Sequence, residues 1–272
     1  ANNYGPAPGS AEINFGRILA DHLSGHRDEL IISTKAGYGM WQGPYGDGGS
    51  RKYLFASLDQ SLRRLKLDYV DIFYHHRPDP ETDLEETVMA LGDLVRSGKA
   101  LYVGLSNYSR RDTERAAPLF EKHRVPYVIS QPSYNMFNRG IEQDGLLDAQ
   151  EKIEAGTLAY QVLSQGLLTD KYLKGIPKAS RIEKSHCEWL NQSDLTQQRL
   201  DQLIKLNALA NSREQSLSQM AIAWVLRDER VTSALMGASN PDQILQNVQA
   251  LNHLAFSSEE LDEIDQILGV KK

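Results

Sequence analysis

The chain has 272 residues, 40% of them hydrophobic, and a formal net charge of −6. That length and composition are enough to bury a large core within one domain, and the acidic balance gives no reason to bind nucleic acid or an anionic membrane. No apolar run is long enough to span a bilayer, the opening ANNYGPAPGS has neither a basic nor an apolar leader segment, and a single cysteine, Cys187, excludes an internal disulfide, so a cytoplasmic setting is expected.

In chain order, Ile13, Phe15, Ile18, Leu19 and Leu23 recur at helical spacing after the Gly/Pro/Ser stretch Gly5 to Ser10, which predicts a surface helix from Ser10 to Leu23. Leu30 to Thr34 is a compact, partly β-branched apolar run that predicts a buried parallel strand ending at Lys35. The GYGMWQGPYGDGGS stretch that follows is long for a compact domain and rich in glycine and aromatics, a candidate substrate lid, and its Ser50 opens the helix KYLFASLDQSLRRL. Further helices are expected near Leu84–Arg96, Arg110–His123 and Gly145–Ile153, each followed by a strand-like run. After GTLAY, a polar insertion from about Tyr172 to Asp194 is expected to run as a surface loop. Helices over Leu195–Asn211 and Gln215–Arg227, a last strand over Val231–Met236 and a helix from Pro241 to Leu251 come next, and Ser257 with Glu260 forms the S-x-x-E signature of a closing helix.

The apolar runs ELIISTK, YVDIFYHH, LYVGLSN, YVISQ, TLAY and SALMGAS share a feature: each ends in residues that carry chemistry. These are Lys35, His76, Ser106 with Asn107, Gln131, Tyr160, and Gly237 with Ser239. Strands alternating with helices predict parallel βα units, and in a parallel barrel the strands' carboxyl ends converge on one face, so a single site is implied. Of the adjacent His75 and His76, strand alternation lets only one point into a barrel mouth. No Cys/His/Asp cluster with ligand spacing accompanies them, so no metal site is expected.

The stretches NNYGPAPGSAE, IISTKAGY, YVDIFYHHRPDPET, KALYVGLSNYS, QPSYNMFNR, LSQGLLTDKY and LMGASNPDQILQN, in this order through the whole chain, resemble an aldo-keto reductase. The similarity is to the branch holding bacterial reductases of glyceraldehyde 3-phosphate and methylglyoxal and the β subunits of voltage-gated potassium channels. It implies a (β/α)8 barrel, a TIM barrel of aldo-keto reductase type, as one domain over 1–272, with NADPH across the C-terminal face and NADH as the alternative. Only six strands are legible, so the first two strands of the barrel and the family's catalytic aspartate are expected to precede Ala1. A six-stranded piece would expose parallel strand edges and be prone to aggregate.

The resemblance also implies residue roles. Tyr4 falls at the general acid, in ANNYG; Lys35 at the lysine whose charge favours the phenolate; and His76, rather than His75, at the histidine that meets the substrate carbonyl. Ser106, Asn107 and Gln131 match the trio that holds the nicotinamide carboxamide, and Tyr160 the aromatic that stacks on the ring. Leu163, Gln165 and Gly166 fall in the loop that passes the pyrophosphate, although Gln161 and Val162 replace the usual Ser/Thr-Pro pair. Gly237, Ser239, Gln243 and Asn247 match the pattern that binds the adenosine end, where Asn240 stands in place of a frequent Arg or Lys. Tyr38 and Trp41 in the long loop are expected to shape the substrate pocket, and Arg77 to attract a phosphorylated or acidic aldehyde. The function implied is reduction of small or phosphorylated aldehydes to alcohols, with a small-molecule aldehyde as partner and a homo-oligomer as the assembly. The alternative is an NADPH-sensing regulatory subunit like the channel β proteins, against which the presence of His76 speaks.

Overall fold

In the computed structural model, which describes residues 1–173, 175 and 195–270, helices and strands alternate along the chain. The order is α1 (Ser10–His22), β1 (Ser33–Ala36), α2 (Arg51–Leu65), β2 (Val70–His75), α3 (Leu84–Arg96), β3 (Ala100–Ser106), α4 (Arg110–Lys122) and β4 (Tyr127–Gln131). It continues with α5 (Gly140–Gln143), α6 (Leu146–Lys152), β5 (Gly156–Ala159), α7 (Gln197–Ser212), α8 (Leu217–Leu226), β6 (Ser233–Ala234), α9 (Pro241–Val248) and α10 (Ser258–Leu268). Side-chain caps account for many of the helix starts. Ser50, Asp83, Ser109, Thr196 and Asn240 each accept a hydrogen bond from a first-turn backbone N–H, and Ser216 and Ser257 form full capping boxes.

Two compact units divide the chain, and each is described separately. The first comprises Ala1–Pro132 with Asp144–Thr157. Its strands pair in parallel, β1 with β2, β2 with β3 and β3 with β4, and Ile129 and Ser130 of β4 pair with Gly156 and Thr157 of β5. The register sets Lys35 beside Tyr74, Ala36 beside His75, and Ser106 beside Gln131. Behind the strands, Leu54, Leu58, Leu91, Leu94, Phe73 and Val103 form a core in which each residue is almost fully buried. Truncating such a leucine to alanine costs about 2–5 kcal/mol. At Gly104 a Cβ would lie 2.4 Å from the Tyr74 ring, so glycine lets that buried aromatic lie across β3.

The second unit comprises Ser133–Gln143 with Leu158–Lys272. Leu158 and Ala159 of β5 pair in parallel with Ser233 and Ala234 of β6. Trp224 of α8 is buried at its centre, packed against Tyr134 and under the guanidinium groups of Arg139 and Arg227. Arg139 and Arg227 both pair with Glu142, and Arg139 also pairs with Asp265, which spreads the two cations over matching carboxylates.

Most predicted helices agree with the structure to within a few residues, but two strands differ. Pairing of β1 begins at Ser33 rather than Leu30, and Ile31, expected in the core, is 81% exposed. Asp71 explains the late start. Its carboxylate accepts the Ile32 backbone N–H at 2.8 Å and pairs with Arg27 at 2.9 Å, so a side chain takes the donor that an earlier start of the ladder would need. The strand also runs one residue further than expected, to Ala36, so Lys35 sits within it and is buried. The last strand shrinks to Ser233–Ala234 because only those two residues of Val231–Met236 pair with β5. Cys187 and nearly all of the polar insertion from Tyr172 to Asp194 lie outside the described residues.

Candidate active site

Tyr4, Lys35 and His76 meet in the first unit. The Asn2 backbone N–H donates to the Lys35 carbonyl at 2.9 Å, which docks the segment carrying Tyr4 onto β1. The His76 backbone N–H donates to Ala36 at 2.9 Å, which brings the first residue after β2 alongside the end of β1. The Tyr4 and His76 rings then stand edge to face with centroids 5.8 Å apart, and the Lys35 ammonium lies 5.7 Å from the Tyr4 ring centre. Gly37 makes the approach feasible: its φ is 152°, and a Cβ there would come within 3.0 Å of His76.

Lys35 donates to Gln131 Oε1 at 2.7 Å. Burial of the ammonium pushes its pKa down to about 8. His76 is held down to about 3, first by burial and then by the Lys35 charge, the chain's amino terminus, His75 and Arg77. It is therefore a neutral imidazole at physiological pH, and its buried Nδ1 has no hydrogen-bond partner. The Tyr4 phenol is displaced upward from its ordinary value, by burial first and then by Tyr38. The expectation that Lys35 lowers it is thus not met here. Desolvation of the phenolate outweighs an ammonium that is turned toward Gln131, and Tyr4 remains a protonated donor.

His75 separates cleanly from its neighbour. It is fully buried, its Nδ1 lies 2.7 Å from the Tyr108 hydroxyl, and a Cβ on Gly49 would touch its ring. Strand alternation has turned it to the helix side, away from Tyr4.

Ser106, Asn107 and Gln131 gather at the ends of β3 and β4. The Ser106 hydroxyl donates to the Gln131 carbonyl at 2.9 Å, and the Asn107 amide donates to the His76 carbonyl at 2.9 Å and to Ser106 at 3.3 Å. Asn107 has a φ of 60°, a left-handed conformation that asparagine tolerates better than most residues, and this bends the chain out of β3. With its Oε1 on Lys35, Gln131 turns its NH2 end the other way. Amide and hydroxyl groups at strand ends are the donor set that a carboxamide needs, so these residues fit a nicotinamide.

The long loop after β1 is fastened rather than free. Arg77 donates to the Gly37 carbonyl at 3.0 Å and to Asp47 at 2.9 Å, Trp41 donates to the Pro44 carbonyl, and Thr87 donates to the Gly49 carbonyl. Asp79 accepts the Gly49 N–H at 2.6 Å. These bonds tie the loop at both ends, to Arg77 near Gly37 and to Asp79 and Thr87 near Gly49. Tyr38 stands against His76 at 4.6 Å, and Arg77 covers the far face of Tyr38 at 5.0 Å. Asp47 and the Gly37 carbonyl already partner the Arg77 charge.

The second unit holds the remaining predicted residues. Tyr160 follows β5, half-buried, and bridges Ser133. Beyond it, Gln161, Ser164, Gln165 and Gly166 all have positive φ, of 58°, 46°, 59° and 96°. The N–H groups of Ser164 and Gly166 turn inward, to the Gln161 and Leu163 carbonyls at 2.7 and 2.8 Å, so the segment closes on itself as a tight bend. Gln161, which departs from the expected pattern, anchors this bend: its side chain accepts from Ser133 at 2.8 Å and its carbonyl from Asn135 at 3.0 Å. A Cβ at Gly166 or at Gly237 would meet nothing within 4 Å, so the backbone there is open to a ligand. Ser239 donates its N–H to Gln243 at 2.8 Å, so Gln243 braces the loop before α9, while Asn247 is buried. Asn240 caps α9 by accepting the Gln243 N–H at 3.0 Å, a local reason for asparagine there. The positive end of that helix favours a phosphate.

Six parallel strands alternating with helices, with polar side chains at the strand ends, define an α/β enzyme of the (β/α)8 barrel type. A family model described as the Aldo/keto reductase family matches residues 1–269, and the chain belongs to that family. It is 56% identical over 268 residues to L-glyceraldehyde 3-phosphate reductase of Escherichia coli K12, covering 98% of this chain and 78% of the relative. The protein of the same name from Escherichia coli O157:H7 matches to the same extent. It is 35% identical over 266 residues to a putative voltage-gated potassium channel subunit beta of Schizosaccharomyces pombe, covering 96% of this chain and 77% of that protein. The chain is accordingly an oxidoreductase of a family that works with NAD(P)H. Among the described residues no helix is long and apolar enough to cross a membrane.

Proposed function

We propose that the chain reduces small or phosphorylated aldehydes, glyceraldehyde 3-phosphate and methylglyoxal among them, with NADPH as the preferred cofactor. The observation that carries this reading is the meeting of Tyr4, Lys35 and His76 around one point in the first unit. A reduced nicotinamide, when bound, would supply the hydride for reduction of the carbonyl carbon. Tyr4, kept protonated, gives its proton to the oxygen, and the product is the alcohol. His76, neutral in this range, donates a hydrogen bond to the same oxygen without competing for the proton. Lys35 places a buried positive charge beside the phenolate that forms, where low polarity strengthens it. Within the first unit, Ser106, Asn107 and Gln131 would hold the carboxamide of the bound cofactor. Within the second, Tyr160, the loop of Leu163, Gln165 and Gly166, and Gly237, Ser239, Gln243 and Asn247 are the residues that the family resemblance assigns to cofactor contacts.

The family match, unbroken from 1 to 269, supports reading the two units as parts of one catalytic domain. A cytoplasmic setting and a homo-oligomer belong to the same proposal. The test is oxidation of NADPH with glyceraldehyde 3-phosphate, methylglyoxal and 4-nitrobenzaldehyde as acceptors. Turnover with an aldehyde supports the enzyme. Tight NADPH binding without turnover favours the second reading, a regulatory dinucleotide-binding subunit, which the likeness to a channel β subunit keeps in view.

A further inference from the structure

We propose that Tyr53, on α2 and outside the reacting group, is a positioning residue that sets the spacing between the general acid and the substrate loop. Its ring and hydroxyl are completely buried. The hydroxyl donates to the Tyr38 carbonyl at 2.6 Å and accepts the Asn2 side-chain amide at 3.3 Å. One oxygen therefore holds two segments that approach the site independently. Asn2 lies two residues before Tyr4, and Tyr38 stands against His76. The Asn2 backbone N–H on the Lys35 carbonyl completes the frame, so the segments carrying Tyr4, Lys35 and Tyr38 share one hydrogen-bonded corner. Trp41, farther along the loop, packs on the Tyr53 ring at 5.3 Å. The ring thus supports the loop by contact, and the hydroxyl fixes its register.

Removing the hydroxyl alone takes the donor from the Tyr38 carbonyl and the acceptor from the buried Asn2 amide, so both segments lose the bond that fixes them. Small displacements of reacting groups are costly in rate, because the site works through alignment. The inference rests on the reductase reading, and the tests separate the two.

In Tyr53→Phe, which keeps the ring under Trp41, kcat should fall about tenfold or more while NADPH affinity, read by tryptophan fluorescence, stays within about twofold of wild type. Asn2→Ala should lower kcat less, and the double variant should match Tyr53→Phe, since both substitutions break one junction. The ionisation of Tyr4, obtained as the difference in phenol titration between each protein and its Tyr4→Phe counterpart, should move between wild type and Tyr53→Phe. A lower melting temperature with kcat unchanged within about twofold would overturn the proposal, as would effects that multiply in the double variant. If Tyr53→Phe does not fold, Asn2→Ala decides alone, and a normal kcat there overturns it. If wild type shows no turnover with any aldehyde, the reductase reading fails, and the Tyr4 titration judges Tyr53 by itself: a shift supports it and no shift overturns it.

Discussion

The two units carry candidate functional residues of opposite kinds. In the first, Lys35, His76, Ser106 and Gln131 are buried side chains, with Lys35 donating to the Gln131 side chain and Ser106 to the Gln131 carbonyl. In the second, the candidate residues lie on backbone turns: positive φ at Gln161, Ser164, Gln165 and Gly166, open glycines at 166 and 237, and an exposed helix start at Asn240. Chemistry at a carbonyl needs fixed groups of chosen pKa, and burial supplies both. Holding a dinucleotide needs N–H groups and room, which glycine and a helix end supply without functional side chains.

Substitutions that touch one region and spare the other sharpen this contrast. The largest effect is expected for Tyr4→Phe, where turnover should fall about 10²–10⁴-fold with cofactor binding preserved, measured by steady-state rates beside fluorescence titration. Lys35→Met should lower turnover less, by about 10²-fold, and raise stability at neutral pH by roughly 1–3 kcal/mol, because it removes a buried charge. The sign follows from its pKa. Folding depresses the Lys35 value to about 8, so its contribution to stability is fully present above the unfolded value near 10.5 and is lost as pH falls through 8. Thermal melts of the pair should therefore converge as pH rises from 8 toward 10.5, and parallel curves would contradict it.

A pH profile separates the two basic groups of the first unit. With His76 near 3 and Lys35 near 8, kcat/KM for reduction should be level from pH 5 to 7 and decline above 8 as Lys35 loses its proton. A limb near 6.5 would mean that His76 titrates as an ordinary histidine. In the second unit, Gly237→Leu should raise the cofactor Kd about tenfold and leave the melting temperature and the rate at saturating cofactor unchanged, because its side chain enters open space rather than a packed core. The smallest effect is expected for Asn240→Arg. It should favour NADPH over NADH a few-fold through charge, at the cost of about 1 kcal/mol from the lost helix cap, read from the ratio of the two Kd values and a melt.

Much of the first unit is legible in the sequence, since Lys35, His76, Asn107 and Gln131 stand at or beside the ends of apolar runs that pair as parallel strands. The order of helices was readable from apolar spacing and from serine and aspartate caps such as Ser50 and Asp83. What escaped was set by side chains acting at a distance in sequence. Asp71 delays β1, Arg77 and Asp79 fasten the loop thought to be a lid, and Gln131 draws the Lys35 ammonium toward itself. The bend at Gln161 escapes the sequence, because nothing local in Gln-Val announces a left-handed residue braced by Ser133 and Asn135. Tyr53 was legible as helix and invisible as a strut, since its partners lie 15 and 51 residues away.

The central claim is that a protonated Tyr4, framed by buried Lys35 and neutral His76, delivers the proton in aldehyde reduction. It is tested most directly by following NADPH oxidation with glyceraldehyde 3-phosphate in wild type and in Tyr4→Phe at matched cofactor occupancy. The account predicts turnover in wild type that collapses in Tyr4→Phe while NADPH remains bound. Equal rates in the two proteins would contradict it.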